Sequence, residues 1–185
     1  MKIKKWFLYG AYAQGIKHEN NSIECQDRTQ TRRKGNVKGV SLADGAGSKE
    51  NSALGAEVVS KSILNHFVDN FYDFIELSED KLSIIICKNI QDTLISTSLE
   101  YSVDQKTLSA TLLFIVTDGI KYLGGHIGDG CIVTIADKRI ETLSSPQNDT
   151  YSNFTFFTTD NNLSTHLRIY SGDNKNINSF VLMSD

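Results

Sequence analysis

At 185 residues, 39% of them hydrophobic, the chain is long enough for one cored domain, too short for two comfortable ones, and too apolar for a disordered segment. A net charge of −3 without a basic stripe argues against a nucleic-acid backbone as partner. Three scattered cysteines, Cys25, Cys87 and Cys131, form neither a disulfide framework nor a C-x-x-C pair, which points to a reducing compartment and hence the cytoplasm.

The lysine-flanked stretch WFLYGAYA at 6–13 imitates a short signal peptide. Its two tyrosines and its glycine are wrong for an h-region, so it reads as a first strand. No run approaches the ~20 apolar residues of a membrane span. The charged cluster Arg32-Arg33-Lys34 stands beside Gly35 and reads as a solvated turn. Residues 37–43, VKGVSLA, read as a strand that ends at Asp44. From 50 to about 71 the apolar residues Ala56, Val59, Ile63 and Phe67 recur at helical spacing, with Ser48 as the expected N-cap. His66 lies inside this helix and reads as structural. A second helix is expected over 78–98, with Leu82, Ile86, Ile90 and Leu94 on one stripe. The period then changes to that of strands: 108–116, 121–127, 131–136, 139–143, 154–158, 167–170 and 179–183. Asp118-Gly119 and Asp137-Lys138 supply turns, and 144–153 is a polar loop. Strands, two long helices and then hairpins make an α+β chain with antiparallel sheet, and nothing divides 1–185 into more than one domain.

Four aspartates stand at turns or strand ends: Asp27 in ECQDR, Asp44 in SLADGAG, Asp129 in HIGDG and Asp185 after VLMS. Each of the two Asp-Gly cases has an ordinary reading as a turn residue. The alternative is a set of hard oxygen ligands, because no Lys or Arg adjoins Asp44, Asp129 or Asp185 in sequence and a partly desolvated carboxylate needs a cation. Nucleotide loops and nucleophile elbows are absent: neither G-x-x-x-x-G-K-[ST] nor G-x-S-x-G occurs, and GAGSKE lacks the third glycine of the dinucleotide fingerprint.

The order CQD, LADGAGS followed by a helix, LSATLL, GHIGDG and VLMSD, spread over 9–185, resembles the protein phosphatase 2C family of metal-dependent serine/threonine phosphatases, in its bacterial branch. The resemblance implies a four-layer α-β-β-α sandwich of two antiparallel sheets flanked by helices. It implies two Mn²⁺ or Mg²⁺ ions in the cleft between the sheets, with a third, weaker site. Asp44 would bridge both ions, the Gly45 carbonyl would bind one, Asp27 would contact their waters, Asp185 would bind the first ion and Asp129 the third. The implied reaction is hydrolysis of phosphoserine and phosphothreonine in proteins by a metal-bridging hydroxide, with cations about 3.5–4 Å apart clamping the phosphoryl group. On this reading Gly45 and Gly47 keep side chains away from the ion.

Three departures qualify the resemblance. Many relatives carry a His where this chain has Ala46, which leaves the leaving-group proton to a metal-bound water or to His18. Many carry a phosphate-gripping Arg where this chain has Ser22; Arg28 is assigned that role, with Arg32 and Lys49 as alternatives. The family's segment beyond the Ser-Asp pair, with its last metal-binding Asp, has no counterpart, so the domain is expected to be incomplete at its C-terminal end. The expected protein is a monomer acting on a phosphorylated protein. The competing readings are a catalytically impaired pseudophosphatase that binds a phosphoprotein or partner, and a phosphatase of a small metabolite.

Overall fold

The computed structural model describes residues 6–11, 13–14, 24–147 and 155–184. A five-stranded antiparallel sheet has the order β1(Arg28–Lys34), β2(Val37–Ala43), β3(Leu112–Thr117), β4(Lys121–Ile127), β7(Arg168–Asp173). A three-stranded antiparallel sheet has the order β6(Arg139–Ser144), β5(Cys131–Ala136), β8(Ile177–Met183). Helix α1(Ser52–Asp69) lies on β1, β2 and β3, and α3(Glu79–Tyr101) packs on α1. Short turns of helix, α2(Phe71–Phe74) and α4(Leu163–His166), complete the helical layer.

The core follows from the residue periods. On α3 the stripe Leu82, Ile86, Ile90 and Leu94 is fully buried, as its spacing requires. It meets Ile63, Phe67 and the large-sheet residues Phe114, Val116 and Leu123 in one apolar cluster. The opposite face of that sheet contributes Leu42, Leu113, Ile115 and Tyr122 to a second cluster with Ile132, against which Phe180 and Leu182 of the small sheet pack. The architecture is therefore α+β with two antiparallel sheets. Among the described residues the helices cover only the outer face of the large sheet.

Several local expectations are corrected. The described part of 6–13 is not a strand: it joins no ladder, and Trp6 instead stacks on Phe180 of β8, with ring centroids 5.7 Å apart. Arg32-Arg33-Lys34 is not a turn but the end of β1, and the turn is Gly35-Asn36. Those charges are compatible with an edge strand because they reach α1: Arg32 pairs with Asp69 at 2.8 Å and donates to Asn65. Residues 105–108 form a 3₁₀ turn, so β3 begins only at Leu112. Residues 155–158 form no strand, only a bridge at Thr155 followed by a turn. The N-cap of α1 is Asn51 rather than Ser48, and its amide donates to Thr107 instead of capping the helix. The Asp137-Lys138 turn has positive φ at both residues, 48° and 66°, the hairpin geometry expected of it.

Candidate metal and phosphate site

Register carries Asp27, Asp44 and the Asp129 turn to one end of the large sheet. Arg28 pairs with Ala43, so Asp27 and Asp44 are the next residues out along neighbouring strands. Leu112 pairs with Ile127, which puts the Gly128-Asp129-Gly130 turn at that same end. Cys131 pairs with Met183, so the chain leaves β8 beside that turn.

Asp44 is half-buried, and its backbone is held twice by one residue: its N–H donates to Thr111 Oγ1 at 3.0 Å and its carbonyl accepts the Thr111 N–H at 2.8 Å. The next two amides are also used internally, Gly45 N–H on the Gln26 carbonyl and Ala46 N–H on the Ser109 carbonyl. A loop that spends its amides in this way is no anion nest, in keeping with the missing nucleotide motifs. Gly45 is required by packing: a Cβ there would lie 2.8 Å from the Ser52 carbonyl at the start of α1. Gly47 meets no such demand, since a Cβ there would lie 3.6 Å from the Gln26 side chain. Ala46 is 8% exposed.

Asp27 is half-buried, with the Cys25 thiol 3.9 Å from Oδ2. Arg28 faces the α1 side, where it pairs with Glu57 at 3.5 Å and Glu24 at 3.6 Å and donates to the carbonyls of Cys25 and Asp27. Its guanidinium thus fixes the entry to β1. Arg32 pairs opposite Gly39, four residues further from this end, and is held by Asp69. Lys49 is exposed, just beyond the Asp44 turn. Asp129 is half-buried and accepts a hydrogen bond from Thr155 Oγ1 at Oδ2. His18, Ser22 and Asp185 lie outside the described residues.

The donors at this end, the carboxylates of Asp27, Asp44 and Asp129 and the Gly45 carbonyl, are all oxygen, which is the class that hard divalent cations take. In donor chemistry they fit Mn²⁺ or Mg²⁺. Among the described residues, however, no three His, Cys, Asp or Glu side chains gather closely enough to form an ion site by themselves.

Sequence reasoning missed several residues that shape this end. Thr111 lies within the LSATLL segment, whose apolar strand pattern hides a side chain that clamps the Asp44 backbone. Gln147 lies in a polar loop with no motif, yet is 8% exposed and holds Gly128. His126 is fully buried on β4, where its Nδ1 meets Ser144 Oγ of β6, which also accepts from the Tyr170 hydroxyl of β7. Burial, reinforced by the Arg168 guanidinium, pushes the His126 imidazole down to about 4 against the weaker opposing pull of the Gly128 backbone and the Asp129 carboxylate.

A family model described as protein phosphatase 2C matches residues 14–185. Compared by sequence, no curated protein matches the chain. Among solved structures, the serine/threonine phosphatase Stp1 from Staphylococcus aureus superposes with a TM-score of 0.57 at 12% identity, over 95% of this chain and 79% of that one. The S. agalactiae serine/threonine phosphatase gives 0.56 at 15% identity, over 88% of this chain and 70% of that one. The catalytic domain of the serine threonine protein phosphatase PstP, in complex with two manganese ions, gives 0.56 at 14% identity, over 81% of this chain and 66% of that one. At these identities the likeness is one of fold. With the family model spanning nearly the whole chain and the two-sheet fold in agreement with it, the chain belongs to the protein phosphatase 2C family.

Proposed function

We propose that the protein is a Mn²⁺- or Mg²⁺-dependent protein serine/threonine phosphatase, acting as a cytoplasmic monomer on phosphorylated proteins. The observation that supports this most is the strand register, which carries Asp27, Asp44 and the Asp129 turn to one end of the large sheet. Asp44 and Asp27 would hold two cations together with Asp185 and the Gly45 carbonyl, and Asp129 would serve a third. Such ions, when bound, activate a nucleophilic water and neutralise charge growing on the phosphoryl oxygens. The chain's own part is positional. Thr111 fixes the Asp44 backbone from both sides, Thr155 fixes one oxygen of Asp129, and the Arg28 pairs hold the segment that carries Asp27. His18 is the side chain proposed to supply the leaving-group proton. Arg28 is proposed to reach phosphate, which requires it to give up Glu57. The cytoplasmic reading is supported by three free cysteines and by the lack, among the described residues, of any helix long and apolar enough to cross a membrane.

Phosphate release from a phosphothreonine peptide tests this reading. Release is expected to require Mn²⁺, to stop with a chelator, and to fall on the order of 100-fold or more in Asp44→Asn. Unchanged activity in Asp44→Asn would contradict it. Turnover of small phosphate esters with none of the peptide would move the assignment to a metabolite phosphatase. The buried Ala46 favours one second reading, a binding module, which requires no turnover in a folded protein that still retains the phosphopeptide.

A further inference from the structure

The Gly128-Asp129-Gly130 turn is held by a segment that the proposed chemistry does not use. Gly128 has φ +110°, and a Cβ there would lie 2.6 Å from Thr111 Cγ2, so the turn is wedged against the residue that clamps Asp44. From its other side residues 144–147 lie over it as a strap. Ser144 Oγ meets His126 Nδ1 and accepts from Tyr170, and Arg168 donates to the Ser145 carbonyl at 2.8 Å. Pro146 stiffens the strap between these ties. Gln147 ends it with three hydrogen bonds. Its backbone N–H donates to the Gly128 carbonyl at 2.9 Å, its Oε1 accepts the Gly128 N–H at 2.8 Å, and its Nε2 donates to the His166 carbonyl at 2.7 Å. Both backbone polar groups of the residue before Asp129 are thus satisfied by one glutamine. The side chain that does so is itself anchored at α4 and nearly excluded from solvent.

A glutamine placed this way does more than fill a loop. The Gly128 N–H is buried, and it has a partner only while the amide side chain stays in place. The direction in which Asp129 leaves the turn is set by the Gly128 backbone, which Gln147 grips at both ends. We propose that Gln147 is a positioning residue for the Asp129 carboxylate, tuning the affinity of the ion that Asp129 serves; this rests on the reading of Asp129 as an ion ligand.

The test pairs Gly128 amide hydrogen exchange, followed by NMR, with Mn²⁺ titration of the same folded protein, in wild type, Gln147→Met, Gln147→Glu and Asp129→Asn. Gln147→Met keeps the volume and removes the acceptor. It is expected to speed Gly128 exchange and to weaken the least tightly held Mn²⁺ about tenfold, leaving the tighter ions unchanged. Gln147→Glu keeps the acceptor for Gly128 but sets an oxygen against the His166 carbonyl, and is expected to hold that Mn²⁺ more tightly than Gln147→Met. Asp129→Asn is expected to weaken the same ion. If Asp129→Asn weakens it and Gln147→Met leaves the isotherm as in wild type, the positioning role is overturned while the ligand reading stands. If Asp129→Asn changes nothing, both fall. Should Gln147→Met not fold, Gln147→Ala takes its place: faster Gly128 exchange with a weakened least tightly held Mn²⁺ supports the role, and faster exchange with wild-type Mn²⁺ binding overturns it.

Discussion

His126 bridges the two sheets as a neutral imidazole, tied to Ser144 and pushed down to about 4 by burial. Its folded pKa lies below the ordinary value of 6.5, so as pH falls the unfolded chain takes up the proton first. Stability carried by the neutral ring is therefore complete above about pH 6.5 and is lost progressively down to about pH 4, on the order of 3 kcal/mol. Denaturant unfolding of wild type and His126→Gln, at pH 7 and pH 4.5, checks this. The stability gap is expected to narrow at the lower pH, and a gap that does not change with pH would contradict the assignment. At the residue scale the sequence pointed to the acids, because a carboxylate directly after a buried strand is chemically conspicuous. It was silent on Thr111, Gln147 and Ser144, ordinary polar residues whose importance comes from partners 67, 19 and 18 positions away.

Elements with a strong period were legible. The stripe from Leu82 to Leu94 and the hairpin strands Lys121–Ile127 and Cys131–Ala136 owe their form to local spacing and turn chemistry. The misread segments are those where tertiary partners override composition. β1, RTQTRRK, has no apolar residue and is a strand because Gln30, Arg32 and Lys34 find Glu57, Asn65 and Asp69 on α1. The stretch 6–13 has strand composition, but in its described part aromatic stacking on Phe180 takes the place of a ladder. The glycines after Asp44 separate by the same logic. Gly45→Ala forces a Cβ against the Ser52 backbone and is expected to cost about 1–3 kcal/mol in the metal-free protein. Gly47→Ala meets only ordinary contact at 3.6 Å and has no positive φ, so its expected effect is within about 0.5 kcal/mol. Thermal unfolding of the two variants distinguishes them, and equal losses would contradict the packing account.

At the scale of the whole molecule, antiparallel register sets strand ends that are distant in sequence at one end of the large sheet. Asp27 and Asp44 are 17 positions apart, and Asp129 comes a further 85 later, yet antiparallel register brings all three strand ends to one side. The sequence made this convergence legible only through the order of its motifs, because no local pattern states which strand lies beside which. The same end carries the Gln147 strap on one flank and the Arg28 pairs on the other, so both supports act on backbone rather than on the carboxylates themselves. The central claim is that these strand-end acids hold divalent cations. Calorimetric titration with Mn²⁺ tests it most directly: the full protein is expected to bind two ions tightly, and a folded Asp44→Asn variant to lose at least one of them. Mn²⁺ binding that is absent from the folded wild type, or identical in Asp44→Asn, would contradict it.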